Sequence, residues 1–534
     1  MVKNSRLFPL AALLIMLILA STSTPKIAQA AQIVIQLGWV NPMLVHDVAV
    51  SDDGNHLAAV NNTGLYYFSA DSSTPLWSYQ PPTVVFRSVA ISAEGDYVIA
   101  GDDNGFLHYF NQSRTRTSDQ ALATWKSADL GGPIEKSTLD MSANGNYTVV
   151  GGTGTSIWYF ANCQERTGAD NTQTWTSVVG WEFYTVHISA NGRYVAGGGT
   201  HGASAGFVVF YENATTLSGY NSPKWYAFSQ LTTPIIDLAL SDDGYAVAAI
   251  DATIRTLHYW ADATTLTGDP NATWTNSGSF GCIDMSANGD NVVTGGIYLT
   301  SVHFWGNART RTGMQSEDWI RLETINVYDV AISKDGNLIA TPTMNQTGSY
   351  LAYFLTSGGN TLNEFVLPQF SNMVSMSAVG STIAMAGPGY DSLYVFRATV
   401  DSKPPDINQV TQDPDENNVY PNNTVKILAN VTDEESGVKQ VILNYTTGNG
   451  TWFTQTMDPY SRDIFNGTIA IFPYCTTVTY VIIAEDNANN TITSVQLELV
   501  LQYHVIPEIM AVYFVPLFMA TTILYAVTRK RRKL

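Results

Sequence analysis

Residues 89–113 read VAISAEGDYVIAGDDNGFLHYFNQS. Val-Ala-Ile-Ser alternates two faces and is β-branched, so it reads as a half-buried strand. Ser-Ala-Glu-Gly follows as a turn, its glycine free to take the positive φ that a hairpin needs. A second apolar run ends in Ala-Gly, where small residues let backbones approach closely. A third run, Leu-His-Tyr-Phe, is rich in aromatics. No helix signal interrupts them.

The sentence recurs. VAVSDDG, VAISAEG, LDMSANG, VHISANG, LALSDDG, IDMSANG, VAISKDG and VSMSAVG each end on the turn glycine, at Gly54, Gly95, Gly145, Gly192, Gly244, Gly289, Gly336 and Gly380. The separation runs from roughly 41 to 52 residues, the length of a four-stranded propeller blade. Aromatic third strands recur as LYYF, LHYF, IWYF, LHYW and VHFW. A polar loop then leads to a fourth strand marked by Trp77, Trp125, Trp175, Trp225, Trp274 or Trp319, while the last copy has no tryptophan there. One strand, residues 32–40 with Trp39, precedes the first copy. An open ring would expose a sheet edge, so this strand is expected to complete the last blade.

These repeats resemble the β-propellers of the WD-repeat and quinoprotein-like superfamilies. SADSSTPLWSY from Ser69 is the best copy of the loop-then-tryptophan ending, and it resembles repeats of archaeal surface proteins. Quinone-dependent propeller enzymes usually add a vicinal cysteine pair and a carboxylate-bound calcium. Cys163, Cys282 and Cys475 are far apart, so no quinone cofactor is expected, and neither a metal spacing nor a disulfide framework is legible. One bridge, or three isolated buried thiols, would fit.

The fold class expected is all-β: a propeller of about eight blades over residues 31–400, a linker at 401–406, a β-sandwich at 407–501 and one C-terminal transmembrane helix at 505–528. Past Pro404 and Pro405 the pattern changes to sandwich-like alternation. V-T-D-E-x-S-G-V from Val431 and A-E-D-N-A-N-N from Ala484 resemble immunoglobulin-like or fibronectin-III-like domains, without a cysteine pair. Such a unit would serve as a spacer.

The ends carry export signals. Lys3 and Arg6, an apolar run, and Ala28-Gln29-Ala30 make residues 1–30 a signal peptide. Residues 509–527 are uncharged and long enough to span a bilayer. The basic tail from Arg529 is then cytoplasmic, placing the rest outside the cell. Val505-Ile-Pro-Glu508 is similar to the I-P-E-F start of archaeal surface anchors, with Ile509 in place of the phenylalanine. The net charge is −19. The basic residues of both ends are removed or cytoplasmic, so the exported part is more acidic still, which excludes nucleic acid as a partner.

N-x-S/T sequons mark possible glycosylation at Asn61, Asn111, Asn146, Asn213, Asn271, Asn345, Asn422, Asn430, Asn444, Asn449, Asn466 and Asn489. His108, His258 and His303 share one repeat position, where equivalent side chains do not converge on a metal. The acidic turns at Asp52-Asp53, Asp102-Asp103 and Asp242-Asp243 read as solvated hairpins. DPDENN from Asp413 and TDEE from Thr432 are the weak calcium candidates. No catalytic motif is present, so no catalytic, cofactor or metal residue is assigned. The reading is a membrane-anchored extracellular binding or scaffold module for protein or glycan. The alternative is an extracellular enzyme acting on polysaccharide or peptide. Carboxylates clustered at the propeller axis would favour the enzyme, and an axis of Ser, Thr and Gly would favour binding.

Overall fold

The computed structural model describes residues 32–507 apart from 118–121, 153–155, 178–179, 203–204, 254, 297–300, 322–323, 346, 388–391, 402, 434–436, 449, 462, 487–489, 498 and 500. The expected signal peptide and basic tail lie outside these residues, as does the expected span from residue 508 onward. Its first residues are described and correct its start: Val505 is buried in the core of the second unit and donates to Thr476 at 2.9 Å, and Ile506 donates to Val419 at 2.9 Å, so no helix opens at 505. No helix among the described residues is long and apolar enough to cross a membrane. The chain divides into two compact units, one of them residues 35–399.

Among the described residues that unit holds eight sheets of four or five strands, antiparallel apart from the outermost strand of three of them. In chain order they occupy residues 47–79, 86–127, 139–177, 182–227, 235–277, 280–321, 324–367 and 373–401. The orphan strand, Gln32–Asn41, is the fourth strand of the eighth sheet, paired with Leu393–Asp401. Each sheet's first strand packs on the first strand of the next, and the eighth sheet's packs on the first sheet's, closing a ring.

Each repeat's turn glycine has φ between 72° and 77°. The residue before it is not left-handed, so the turn differs from the two-residue hairpin that Asn-Gly or Asp-Gly suggests. Instead the glycine N–H closes a turn on the serine carbonyl, as Gly54 does on Ser51 at 2.9 Å. The serine hydroxyl then accepts the N–H five residues on, as Ser51 does from His56. That explains the repeated serine.

The tryptophans join neighbouring sheets. The indole N–H of Trp77, Trp125, Trp175, Trp225, Trp274 and Trp319 donates to Ser113, Cys163, Ala214, Ala263, Ala308 and Ser357 of the next sheet, all at 2.8–2.9 Å. Trp39 donates to Ala70 at 2.7 Å. The last copy thus draws its tryptophan from the first strand of the chain. The seventh sheet's outer strand, Thr361–Leu367, has none, and its Phe365 packs on Phe396. Third-strand tyrosines add a second link: Tyr67, Tyr109, Tyr159 and Tyr259 donate to the turn glycine carbonyl of the next sheet.

The loop before the fourth strand does more than connect. Gly168–Asn171, Gly219–Asn221 and Gly313–Met314 pair in parallel with the outer strands of the second, third and fifth sheets. Polarity alone does not mark these loops as strands. Their signal is a repeated Thr-Gly or Ser-Gly, as in Thr167-Gly168 and Ser218-Gly219.

The other unit, from residue 400, holds two sheets. Strands Val425–Thr432 and Thr477–Asp486 alternate buried and half-buried residues, and Val425, Ile427, Leu443, Tyr480 and Ile482 share its core. The last strand, Leu501–His504, runs past the expected limit at 501.

Candidate functional site

The inner strands of the ring enclose a cavity of about 290 Å³, lined among others by Lys136, His187, Asp237, Asp284, Asp329 and Ser375. The axis therefore carries carboxylates, the arrangement that would favour an enzyme. Their bonding decides what they do.

Each aspartate of the inner strands accepts the N–H of the following residue with one oxygen and an N–H of the next sheet with the other. Asp47 bonds Val48 at 3.0 Å and Val89 at 2.9 Å. Asp140 bonds Met141 at 2.8 Å and Ile188 at 2.9 Å. Asp237 bonds Leu238 at 3.0 Å and Ile283 at 2.9 Å. Asp284 bonds Met285 at 2.8 Å and Ile332 at 2.9 Å. Asp329 bonds Val330 at 3.0 Å and Val374 at 3.1 Å. The hydroxyl of Ser375 accepts from Val50 at 3.0 Å, across the closure of the ring. A buried N–H left without an acceptor is costly, so these side chains are seams between sheets.

Burial pushes three of these carboxyls up, Asp47 and Asp237 to about 6 and Asp284 to about 7. Lys136 lies 2.8 Å from Asp329. Burial opposes its charge, but the carboxylates of Asp329, Asp47 and Asp237 outweigh that and hold it above the usual lysine range. His187, 3.5 Å from Asp140, is likewise raised by Asp140, Asp237 and Asp284 against the pull of burial. A lysine held protonated is no nucleophile. The cluster is a wall of carboxylates held by backbone N–H groups, with Lys136 and His187 among them.

At the hairpin end of the inner strands the eight turns are hydrogen-bonded head to tail. Ala93 donates to Ala143, Ala143 to Ala190, Ala190 to Asp242, Asp242 to Ala287, Ala287 to Lys334, Lys334 to Ala378 and Ala378 to Asp52, and Asp53 returns to Ala93, all at 2.7–3.0 Å. The ammonium of Lys334 bridges this circle, 2.7 Å from Asp52 and 2.8 Å from Asp242.

The remaining sequence candidates fall elsewhere. His108 and His258 each pair with a carboxylate of their own sheet, Asp102 at 3.0 Å and Asp251 at 3.3 Å. His303 lies between Ser301 at 2.6 Å and Glu317 at 3.0 Å. The three do not converge, and no group of metal-ligating side chains is found among the described residues. Asp53 and Asp243 accept their own turn's donors. Asp415 of DPDENN bonds Asn417 and Asn418 locally, while Glu434 and Glu435 of TDEE lie outside the described residues. Cys163 and Cys282 are buried and Cys475 is exposed, none of them bridged. Three buried thiols is thus corrected to two.

Of the sequons, Asn213, Asn271 and Asn422 are exposed. Asn111, Asn146, Asn345, Asn430, Asn444 and Asn466 are half-buried. Asn61 is buried, its carbonyl accepting from Thr63 and Gly64. Asn449 and Asn489 lie outside the described residues.

No family model and no curated protein matches the sequence. Solved structures do match in fold. The Dos1 propeller aligns with a TM-score of 0.52 at 10% identity, over 68% of this chain and 95% of that one. The C-terminal WD40 domain of Sif2 aligns with a TM-score of 0.52 at 14% identity, over 69% and 99%. The ring is a WD40-like β-propeller.

Proposed function

We propose that the eight sheets are the blades of an eight-bladed propeller that acts as a binding scaffold at the outer face of a cell membrane, of the kind found on archaeal surfaces. The signal peptide exports it. Residues 509–527 anchor it, and the second unit is an immunoglobulin-like or fibronectin-III-like spacer. The observation that carries the binding reading is the seam: both oxygens of each axial carboxylate are engaged by backbone N–H groups. The ring is thereby a stiff frame, and binding groups are left to its loops. Propellers of the WD40 kind generally bind proteins, and an acidic surface suits a basic partner.

The enzyme reading has one observation in its favour, the raised carboxyl of Asp284 in the cavity wall. General acid catalysis needs such a group within reach of a substrate, whereas Asp284 holds two sheets together.

The test has two parts. A membrane-impermeant biotin reagent applied to intact cells should label lysines of the propeller, and intracellular protection would overturn the location. The full-length chain should retain a defined protein or glycan saturably and release it unchanged, whereas a shortened glycan would establish the enzyme. Glycopeptide mass spectrometry should find sugar at Asn213, Asn271 and Asn422 and none at Asn61.

A further inference from the structure

The fourth blade carries an aromatic rim. Trp181 meets His201 at 4.9 Å, Phe207 at 4.8 Å and Tyr226 at 6.3 Å between ring centroids. Tyr226 lies 5.7 Å from Phe228, which lies 6.5 Å from His201. Tyr226 and Phe228 are 39% and 40% exposed, and His201 is also exposed. A run of half-exposed rings is unusual on a protein surface and marks contact with something else.

The repeat provides an internal control. In the position of Tyr226, one residue after the fourth-strand tryptophan, the other blades carry Ser78, Lys126, Thr176, Thr275 and Ile320. In the position of Phe228 they carry Pro42, Gln80, Ala128, Val178, Ser277 and Leu322, none of them aromatic. The fold therefore does not require rings here, and Trp225 next door already fills the interblade seam.

The second blade shows what such a rim holds. Its Lys126, the counterpart of Tyr226, places its ammonium 3.7 Å from the centre of the Phe106 ring. Arg116 and Arg166 similarly cover Trp77 and Trp125. The described cation–ring contacts of the chain lie on other rings than those of the fourth-blade rim. Carboxylates flank this rim. Glu182 adjoins Trp181 and accepts the Tyr184 hydroxyl at 3.4 Å. Asp269 is exposed and accepts the N–H of Phe228 at 3.0 Å. Aromatic faces beside carboxylates, on a chain of net charge −19, complement a cation.

We propose that this rim docks a basic, extended segment of a protein partner, with a lysine or arginine side chain over Tyr226 and Phe228 and its charge toward Glu182 and Asp269. The inference rests on the binding reading above and names the partner class and the place.

The test uses the full-length chain at physiological salt and three labelled probes. One is a short peptide with two lysines and two arginines. The second is the same peptide with norleucine and citrulline in their place, and the third is a neutral oligosaccharide. The basic peptide should bind saturably and the uncharged one at least about tenfold more weakly. The variant Tyr226→Ser/Phe228→Ser, whose thermal melt should match that of the parent, should lose about tenfold in affinity, and Glu182→Gln severalfold. Equal binding of the basic peptide to parent and double variant overturns the proposal, as does equal binding of the uncharged peptide or preferential binding of the oligosaccharide. If the double variant still retains a defined protein partner as well as the parent does, the rim is wrong and the scaffold reading stands. If the parent retains neither peptide nor protein, both fall.

Discussion

The inner wall and the outer edge of the propeller solve the same problem with different chemistry. Both must join one sheet to the next. Inside, the joints are aspartate carboxylates bridging backbone N–H groups around Lys136 and His187. Outside, they are neutral: indole and phenol donors to carbonyls, with parallel strands laid along the edge. The charged joints answer to pH and the neutral ones do not. A circular fold can thus be stiff at the rim while its axis responds to the medium.

The contrast can be broken first at the outside. Trp225 is fully buried between blades and bonded to Ala263. Trp225→Ala should cost about 3–5 kcal/mol, read as a lower denaturant midpoint at every pH. At the inner wall, Asp284→Ala leaves the N–H groups of Met285 and Ile332 without their acceptor. It should cost roughly 1–3 kcal/mol, and the loss should depend on pH. Tyr159→Phe removes one neutral bond, to Gly192, and should cost about 0.5–1.5 kcal/mol with no pH dependence.

The parent chain sharpens the contrast further. The folded carboxyls of Asp47, Asp237 and Asp284 keep their protons to about 6, 6 and 7, against a reference of 3.8. Between those limits the folded state binds more protons than the unfolded one, so stability falls as pH rises. His187, also raised, adds stability that is lost as pH climbs through its folded value. Asp53, Asp251 and Asp335 are lowered by their hydrogen bonds despite burial. Their contribution is lost only in stronger acid. The melting temperature should therefore peak near pH 4, fall as the pH rises toward about 7, and level off above it. A triple Asp47→Asn, Asp237→Asn, Asp284→Asn variant should flatten that decline. An unchanged slope in the variant would sink the seam account.

Much of the ring could be read in the sequence because its markers stand in columns. The turn glycines, the fourth-strand tryptophans and the aromatic third strands hold register, and Trp39 on an unpaired strand foretold the closure. The seam was illegible because its aspartates do not align. Asp47, Asp237 and Asp329 stand seven residues before the turn glycine, while Asp140 and Asp284 stand five before it. These positions share one face of a strand, so the same task is met from two registers and no column forms. The aromatic rim was hidden for the opposite reason. In a chain rich in aromatics, Tyr226 and Phe228 do not stand out until their exposure sets them apart.

The strand Gln32–Asn41 has a consequence in time. It is made before any of the blades, yet its partner Leu393–Asp401 is made on the order of 350 residues later. During synthesis that strand remains an open edge, and the last blade cannot form until its other strands arrive. A protease cutting between the first strand and the first blade would therefore act like an unfastened clasp, leaving the other blades joined and the circle free to open.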